Sequence, residues 1–381
     1  MTVTAIVKSD NATSLSAEPE CETKVTTATA VIDRDALNSN FATIKKLAPH
    51  SKVLAVLKAN GYGHGMATIA KALPQADAFG VARIDEALSL RAEGVTKPIV
   101  LLEGFFAPEE INILAVNNLQ TIVHNQAQLD AICQAKLDEP LKVWLKIDTG
   151  MHRLGIAPEQ FQHFYQTLSA QPNVQKPIVL MSHMGCADDT DNQFSGEQIA
   201  QFDQLTAGLA EERSMANSAG ICAWPNSHYQ WLRPGLMLYG VSPMLKQNAT
   251  ELAIKPVMTL KASVIAIRQV KAGETVGYGA AWQAQQDTHI GVIAIGYGDG
   301  YPRHAGNGTP VLLNGRRVPL VGRVSMDMIT VDLGPNANDQ LGDVATLWGQ
   351  GLPVEEIAEH AGTIPYELLC NITRRVQMLT N

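Results

Sequence analysis

The sequence predicts an α/β protein, a (β/α)8 barrel of the TIM type followed by a mostly β C-terminal domain. Three observations predict it. Between residues 50 and 240, short apolar, β-branched runs alternate with helix-like mixtures of polar and apolar residues. The runs number eight, which is the count that closes a parallel barrel. After about residue 245 the texture changes to alternating runs cut by glycine turns, with little helical periodicity.

In chain order, residues 1–26 are rich in Thr, Ser, Ala and Glu and lack a continuous apolar core. They read as a mobile tail and not as a secretory signal. The barrel segment is expected over 27–245. It opens with the strand-like "ATAVIDRDAL", which precedes the barrel and which the sequence alone does not place. The eight runs are "KVLAVL", "AFGVA", "PIVLL", "TIVHN", "KVWLKID", "IVLMSH", "SMANSAG" and "RPGLMLYG", with helical patterns such as "IDEALSLRAEG" between them. The seventh is weak in strand propensity and is counted from spacing, and a doubly wound open sheet remains the competing fold. Over 246–381 the runs read as antiparallel strands. "NG" at Asn314-Gly315, between "VLL" and "RRVPLV", is a strong hairpin signal. Helical periodicity returns at "PVEEIAEHAG".

Composition narrows the function. With 381 residues the chain can build two domains and a large core. Its formal charge is -8 with no basic stretch, which speaks against a nucleic acid partner. No apolar run approaches the roughly eighteen residues needed to span a bilayer, so no membrane partner is expected. Cys21, Cys133, Cys186, Cys222 and Cys370 are odd in number, scattered and without C-x-x-C, which suits free thiols in a reducing, cytoplasmic setting. There is no G-x-S-x-G, H-E-x-x-H or G-K-[ST] motif, and "GYGHG" and "GYGDG" lack dinucleotide spacing. The ten histidines are dispersed without metal-ligand spacing, so no metal is expected.

The polar residues carry the chemistry. Lys58, Arg83, His124, Lys146, Asp148, His183, Asn217, Ser218 and Arg233 lie mostly at the carboxyl ends of successive runs, the face where a barrel builds its site. In "LAVLKANGYGHG", Lys58 ends an apolar run. It is either a strand-end charge that meets solvent or a desolvated amine poised as a nucleophile. Ser218 and Gly220 close the seventh run, and Arg233, Gly235 and Leu236 introduce the eighth; the loops after a barrel's last two strands commonly bind phosphate. A phosphate on one side and a lysine across the mouth suggest pyridoxal 5'-phosphate held as a Schiff base, with Arg233 at the cofactor ring.

Nine ordered segments add a resemblance: "AVLKANGYGHG", "LKIDTGMHRLG", "SHMGCADD", "ANSAG", "RPGLMLYG", "VGYGAAW", "GYGDGYPR", "GRVSMDM" and "IPYELLC". From about residue 27 onward the chain resembles the alanine racemase family. The resemblance implies a homodimer whose sites are shared between subunits, acting on alanine by a two-base mechanism. Lys58 would bind the cofactor and serve as the base on one face of the substrate Cα. Tyr278, from the partner, would serve the opposite face. His183 would support Tyr278 and Arg233, and Arg233 would face the pyridine nitrogen. Tyr62, Ser218, Gly235, Leu236 and Tyr366 would bind the phosphate, with Asn217 beside them. Arg153, Met326 and Asp327 would receive the substrate. Lys146 matches a lysine often carbamylated in that family, and Asp188, Arg303, Arg323 and Ile364 would line an entry corridor with Tyr366. Two departures, Ser325 where many relatives have Cys and Ser214 where some have His, bear on substrate range or rate.

Three rival functions stay in view. A broader amino acid racemase is opposed by the bulky Tyr366 at the entrance. A decarboxylase of basic amino acids on the same architecture is opposed by "SMD", where a Cys-Asp pair is expected. A single-domain barrel that carries pyridoxal phosphate lacks anything like the residues after 245. Whether the role is D-alanine supply for peptidoglycan or alanine catabolism is not written in the sequence.

Overall fold

The computed structural model describes residues 27–381; the tail expected over 1–26, with Cys21, lies outside the described residues. Eight parallel strands close a barrel: β2 (Lys52–Val56), β3 (Ala78–Val81), β4 (Ile99–Leu101), β5 (Leu119–Val123), β6 (Leu141–Lys146), β7 (Val174–Met181), β8 (Glu212–Ser214) and β9 (Trp231–Leu232). Closure runs through Lys52 opposite Trp231 and Val53 opposite Leu232. The strands are near-continuous apolar runs because both faces are covered, by the packed barrel interior and by the surrounding helices. Leu54, Phe79, Val100, Ile122, Trp144 and Leu180 are all buried.

The last two strands fall earlier than the sequence alone suggests. In "SMANSAG" only Ser214 belongs to β8, and Ser218–Ala223 is a helix. The Asn217 side chain caps it, accepting from Gly220 N–H at 2.9 Å. "RPGLMLYG" is not a strand; β9 ends just before it and Leu236–Tyr239 forms a 3-10 turn. All four residues of that turn are buried, and a short buried apolar run does not distinguish strand from helix. The Ser218 hydroxyl bends this segment by accepting from both Gly235 and Met237 N–H, at 2.9 and 3.2 Å.

The second unit is an antiparallel sheet built on the long strand β10 (Met258–Val270). The ribbon β11 (Thr275–Val276) and β12 (Trp282–Gln283) stands apart. Strands β13 (Thr288–Ile293), β14 (Pro310–Leu313), β15 (Arg316–Pro319), β16 (Ile329–Gly334) and β17 (Val344–Trp348) complete the antiparallel set. The β14–β15 hairpin turns at Asn314 and Gly315, both at positive φ, as the two-residue signal requires. The "PVEEIAEHAG" segment gives the helix Val354–Ala361.

The segment near residue 30 forms β1 (Thr29–Ile32), which lies in this sheet and not in the barrel. It pairs antiparallel with β10 and parallel with the terminal β18 (Gln377–Thr380). The stretch expected as barrel, 27–245, therefore begins in the other unit. After β1 comes the helix Arg34–Leu47, capped by Asp33, and its Asn40 is fully buried. Asn40 donates to Leu238 O at 3.0 Å and Lys255 O at 2.8 Å, and accepts from Lys255 N–H at 2.8 Å. It ties the Leu236–Tyr239 turn to the segment that leads into β10. Asn40→Ala leaves those groups unsatisfied, and the expected loss is about 2–3 kcal/mol, read as a lowered urea unfolding midpoint.

Candidate active site

A cavity of about 540 Å³ opens at the carboxyl ends of the barrel strands. Lys58, Tyr62, Lys146, Arg153, His183, Asn217, Ser218, Arg233, Gly235 and Leu236 line it, together with Ile364 and Tyr366 of the second unit. Twelve residues singled out from sequence thus line one cavity.

Lys58 stands two residues past β2, where the backbone makes an unusual turn. Ala59, Asn60, Gly61 and Tyr62 have φ of 53°, 54°, 63° and 51°. For non-glycine residues this left-handed region costs roughly 1–2 kcal/mol each, so tertiary bonds must hold it. Ala59 N–H donates to Glu86 Oε1 at 2.7 Å, while Glu86 Oε2 accepts from Ala82 N–H at 2.8 Å. Glu86 thereby couples the loops after β2 and β3. Asn60 Oδ1 accepts from Met66 N–H at 3.0 Å. The turn swings Tyr62 into an aromatic group, with ring centroids 4.8 Å from Tyr239 and 5.8 Å from Tyr366. A Cβ on Gly235 would sit 2.5 Å from the Tyr62 hydroxyl, so only glycine lets that hydroxyl lie there.

Arg233 directly follows β9 and is buried. Nη1 donates to Ser214 Oγ at 2.6 Å; Nη2 donates to Ser182 O at 2.7 Å, His183 Nδ1 at 3.0 Å and Met215 O at 3.1 Å. None of these bonds engages Nε. Burial draws the guanidinium down to about 10, still charged at neutral pH. Because Nδ1 of His183 accepts, its proton sits on Nε2. Burial and the Arg233 charge keep that ring neutral, with a pKa well below its ordinary value. Lys146, at the end of β6, is buried as well. Burial, then the charges of Arg233, Arg153 and Lys58, lower its amine to about 8.

The lining carries four basic side chains, Lys58, Lys146, Arg153 and Arg233, against the single carboxylate of Glu103. Such a cavity suits an anion. Ser218 Oγ already accepts two N–H groups, so its own proton is left to donate. The amine of Lys58, the Ser218 hydroxyl and the surrounding positive charge fit pyridoxal 5'-phosphate, whose phosphate and aldehyde need an anion cradle and an amine.

Other expected residues lie elsewhere. Tyr278 is 71 % exposed and Met326 52 %, and both stand on the surface of the second unit with Asp327, Arg303 and Arg323. Arg323 lies next to the Tyr278 segment, since a Cβ on Gly279 would lie 3.3 Å from its guanidinium. Asp188 is partly buried outside the cavity lining, its carbonyl accepting from Leu245 N–H at 3.3 Å. Arg83 is not in the lining, and His124 faces a neighbouring groove, with Nε2 3.3 Å from Glu103 O. Sequence reasoning missed Glu86, Glu103 and Tyr239, which act through tertiary contacts that no local motif announces. It tied Ser214 to substrate range or rate and did not foresee that this hydroxyl anchors Arg233.

A closed barrel with a cation-lined cavity at its carboxyl mouth, walled partly by a second β unit, defines a barrel enzyme acting on small anionic ligands. Comparisons agree and go further. Residues 32–243 match the family model "Alanine racemase, N-terminal domain", and 257–380 match "Alanine racemase, C-terminal domain". Alanine racemase of Vibrio cholerae is 59% identical over 351 residues, 92% of this chain and 97% of that one. The solved biosynthetic alanine racemase of Pseudomonas aeruginosa superposes with a TM-score of 0.90 at 43% identity, covering 93% of this chain and 99% of that one. The alanine racemase of Bacillus anthracis with bound L-Ala-P superposes at 0.83 with 29% identity, covering 93% and 95%. The chain belongs to the alanine racemase family, amino acid racemases of the isomerase class. No helix among the described residues is long and apolar enough to cross a membrane.

His64, in the Lys58 loop, gives a pH test. It is buried, its Nδ1 bonds Tyr62 O at 2.8 Å and Gly61 O at 3.1 Å, and burial lowers its pKa to about 4. Unfolded histidine takes up a proton near pH 6.5, so the folded chain loses stability as pH falls from there to about 4. His64→Asn keeps a donor but does not titrate. Its unfolding free energy, from urea titrations at each pH, is expected to fall less between pH 7 and 4, by on the order of 3 kcal/mol.

Proposed function

We propose that the chain is a pyridoxal 5'-phosphate-dependent alanine racemase that interconverts L- and D-alanine with two bases, as a cytoplasmic homodimer with shared sites. The observation that carries this reading is the single cavity joining Lys58, the buried Arg233 and the Ser218 anion cradle. When bound, the cofactor supplies an electron sink that acidifies the substrate Cα–H. The chain's own groups do the rest. Ser218, Tyr62 and Tyr366 would hold the phosphate, with the backbone at Gly235 and Leu236 and with Asn217 beside it. Arg233, whose Nε–H is free of the bonds that fix its other nitrogens, would face the ring nitrogen. A guanidinium keeps its proton, so this residue would not supply one to that nitrogen, which would keep the sink weak and disfavour abortive side reactions. Arg153 receives the substrate carboxylate, as does the backbone of Met326 beside Asp327 from the partner.

Lys58 exchanges the α-hydrogen on one face, and the partner subunit's Tyr278 does so on the other. That Tyr278 is an exposed aromatic outside the lining of its own chain's cavity supports its service to a second copy. Met326 and Met328 are exposed on the same unit, an apolar surface suited to contact. His183, neutral and carrying its proton on Nε2, steadies Arg233 on one side and offers a donor for the Tyr278 oxygen on the other. Asp188, Arg303, Arg323 and Ile364 would line the approach. The product is D-alanine, for peptidoglycan or for catabolism in the reverse direction.

The decisive experiment is a coupled assay for D-alanine from L-alanine, run beside other L-amino acids, on wild type and mixed dimers. Lys58→Ala and Tyr278→Ala homodimers are each expected to be nearly inactive. With free exchange, half the dimers are mixed and half their sites are intact, so about one quarter of wild-type activity returns. Mixed dimers shown by differential tagging to have formed, yet still inactive, exclude a site shared by Lys58 and Tyr278.

Lys146 gives a second test. With its pKa near 8, a share of the amine is neutral at physiological pH and attacks carbon dioxide, forming an N–C bond and releasing one proton. The resulting carbamate is an anion that orients Arg153. In 13C-bicarbonate, a carbamate carbon signal is expected that grows as pH rises through about 8 and is missing in Lys146→Arg. No such signal in the wild type removes the modification from the reading.

A further inference from the structure

"GYGDGYPR" contributes only Arg303 to the reading above, yet its glycines are packed against the turn that bears Met326 and Asp327. Tyr297 N–H donates to Ser325 O at 3.0 Å, and Gly298 N–H donates to Met326 O at 2.9 Å. A Cβ on Gly296 would lie 2.4 Å from Met326 O, and one on Gly298 would lie 2.5 Å from the Arg375 guanidinium. The turn is also closed from within, since Ser325 N–H and Oγ donate to Met328 O at 3.1 and 2.7 Å.

Arg375 completes this cradle. Its Nε lies 3.1 Å from Asp299 Oδ1, and its Nη2 donates to Asp327 Oδ1 at 2.7 Å. Asp299 is itself fixed, with its side chain 7% exposed and Oδ2 accepting from Gly296 N–H at 2.9 Å. Thr373 locks the chain around Arg375, its N–H donating to Asp299 O at 3.1 Å and its hydroxyl to Gly298 O at 3.0 Å. One planar guanidinium thus bridges a buried carboxylate of the glycine loop and the exposed carboxylate of the turn tip.

We propose that Arg375, seated on Asp299, is a positioning residue that fixes the Met326–Asp327 turn in the geometry that receives substrate carboxylate in the partner's site. This rests on the reading that the turn serves the partner. An exposed ion pair contributes little to stability, so the effect of Arg375 falls on pre-organisation of the turn. A carboxylate contact made equally in ground and transition states changes KM and spares kcat.

The test uses the cofactor-loaded dimer. Arg375→Ala is expected to raise KM for both alanine enantiomers about tenfold with kcat changed less than about threefold, and to keep the cofactor absorbance and dimeric mass. Arg375→Lys, a point charge that cannot bridge both carboxylates, is expected to recover part of the loss. Asp327→Asn added to Arg375→Ala is expected to raise KM no further, because both act through one bond. A mixed dimer of Arg375→Ala with Lys58→Ala separates the two layers of the argument. Its only sites with Lys58 receive an intact turn from the partner, so wild-type KM returns. Unchanged KM in the Arg375→Ala homodimer overturns the positioning role, as does a loss of kcat or thermal stability alone. A raised KM that persists in the mixed dimer shows that the turn serves its own chain and overturns the reading beneath.

Discussion

Arg233 is a buried guanidinium whose bonds all go to neutral acceptors, and the site is organised around that unpaired charge. A buried charge left in this way is unfavourable unless hydrogen bonds replace its water. Ser214, Ser182, Met215 and His183 do so, which fixes the ends of three strands to one another. The same charge accounts for its neighbours. Burial first, and this charge after it, keeps His183 neutral and lowers the Lys146 amine, so a dense group of bases exists without being uniformly cationic. A carboxylate in place of Ser214 would neutralise the guanidinium and remove the preference for anions that defines the cavity.

The second constraint is the strained turn after Lys58. Left-handed backbone at Ala59, Asn60 and Tyr62 is stored energy, and it persists because Glu86, Asn60 and the packing of Tyr62 on Tyr239 over-determine it. The geometric result is that Lys58 and Tyr62 both face the cavity from one short turn. Tyr239 shares the arrangement with the barrel by donating to Val56 O at 2.9 Å. Strain at the lysine and support behind it are therefore one structural unit.

Much of this was legible in the sequence, and the remainder was illegible for definite reasons. Strand ends could be read because buried parallel strands are apolar runs that stop at a polar residue, as at Lys58, Lys146 and His183. The last two strands were misplaced because Leu236–Tyr239 is buried on all sides, where apolarity carries no period. The place of β1 depends on pairing with strands more than two hundred residues away, beyond any local pattern. Glu86 and Arg375 act through bonds to distant backbone and side chains, and "TRR" or "IDEA" says nothing of them. Tyr278 and Met326 were singled out by resemblance and not by residue chemistry, and a single chain leaves them exposed.

The join between the two units explains why such exposed residues can still be exact in position. The chain enters through β1 in the second sheet, and Asp33 N–H donates to Val257 O at 2.8 Å before the helix Arg34–Leu47 begins. At the other end, the helix Pro365–Cys370 sets Tyr366 against Tyr62, and Gly63 lies so close that a Cβ there would overlap Leu369 O at 2.0 Å. Barrel and sheet are thus fastened at the first strand and again at the Lys58 loop. With both fastenings in place, the sheet has little freedom to rock against the barrel mouth. The surface bearing Tyr278, Arg323 and Met326 is then held at one attitude to its own barrel, and a two-fold pairing that seated it on a second cavity would repeat that attitude at both sites.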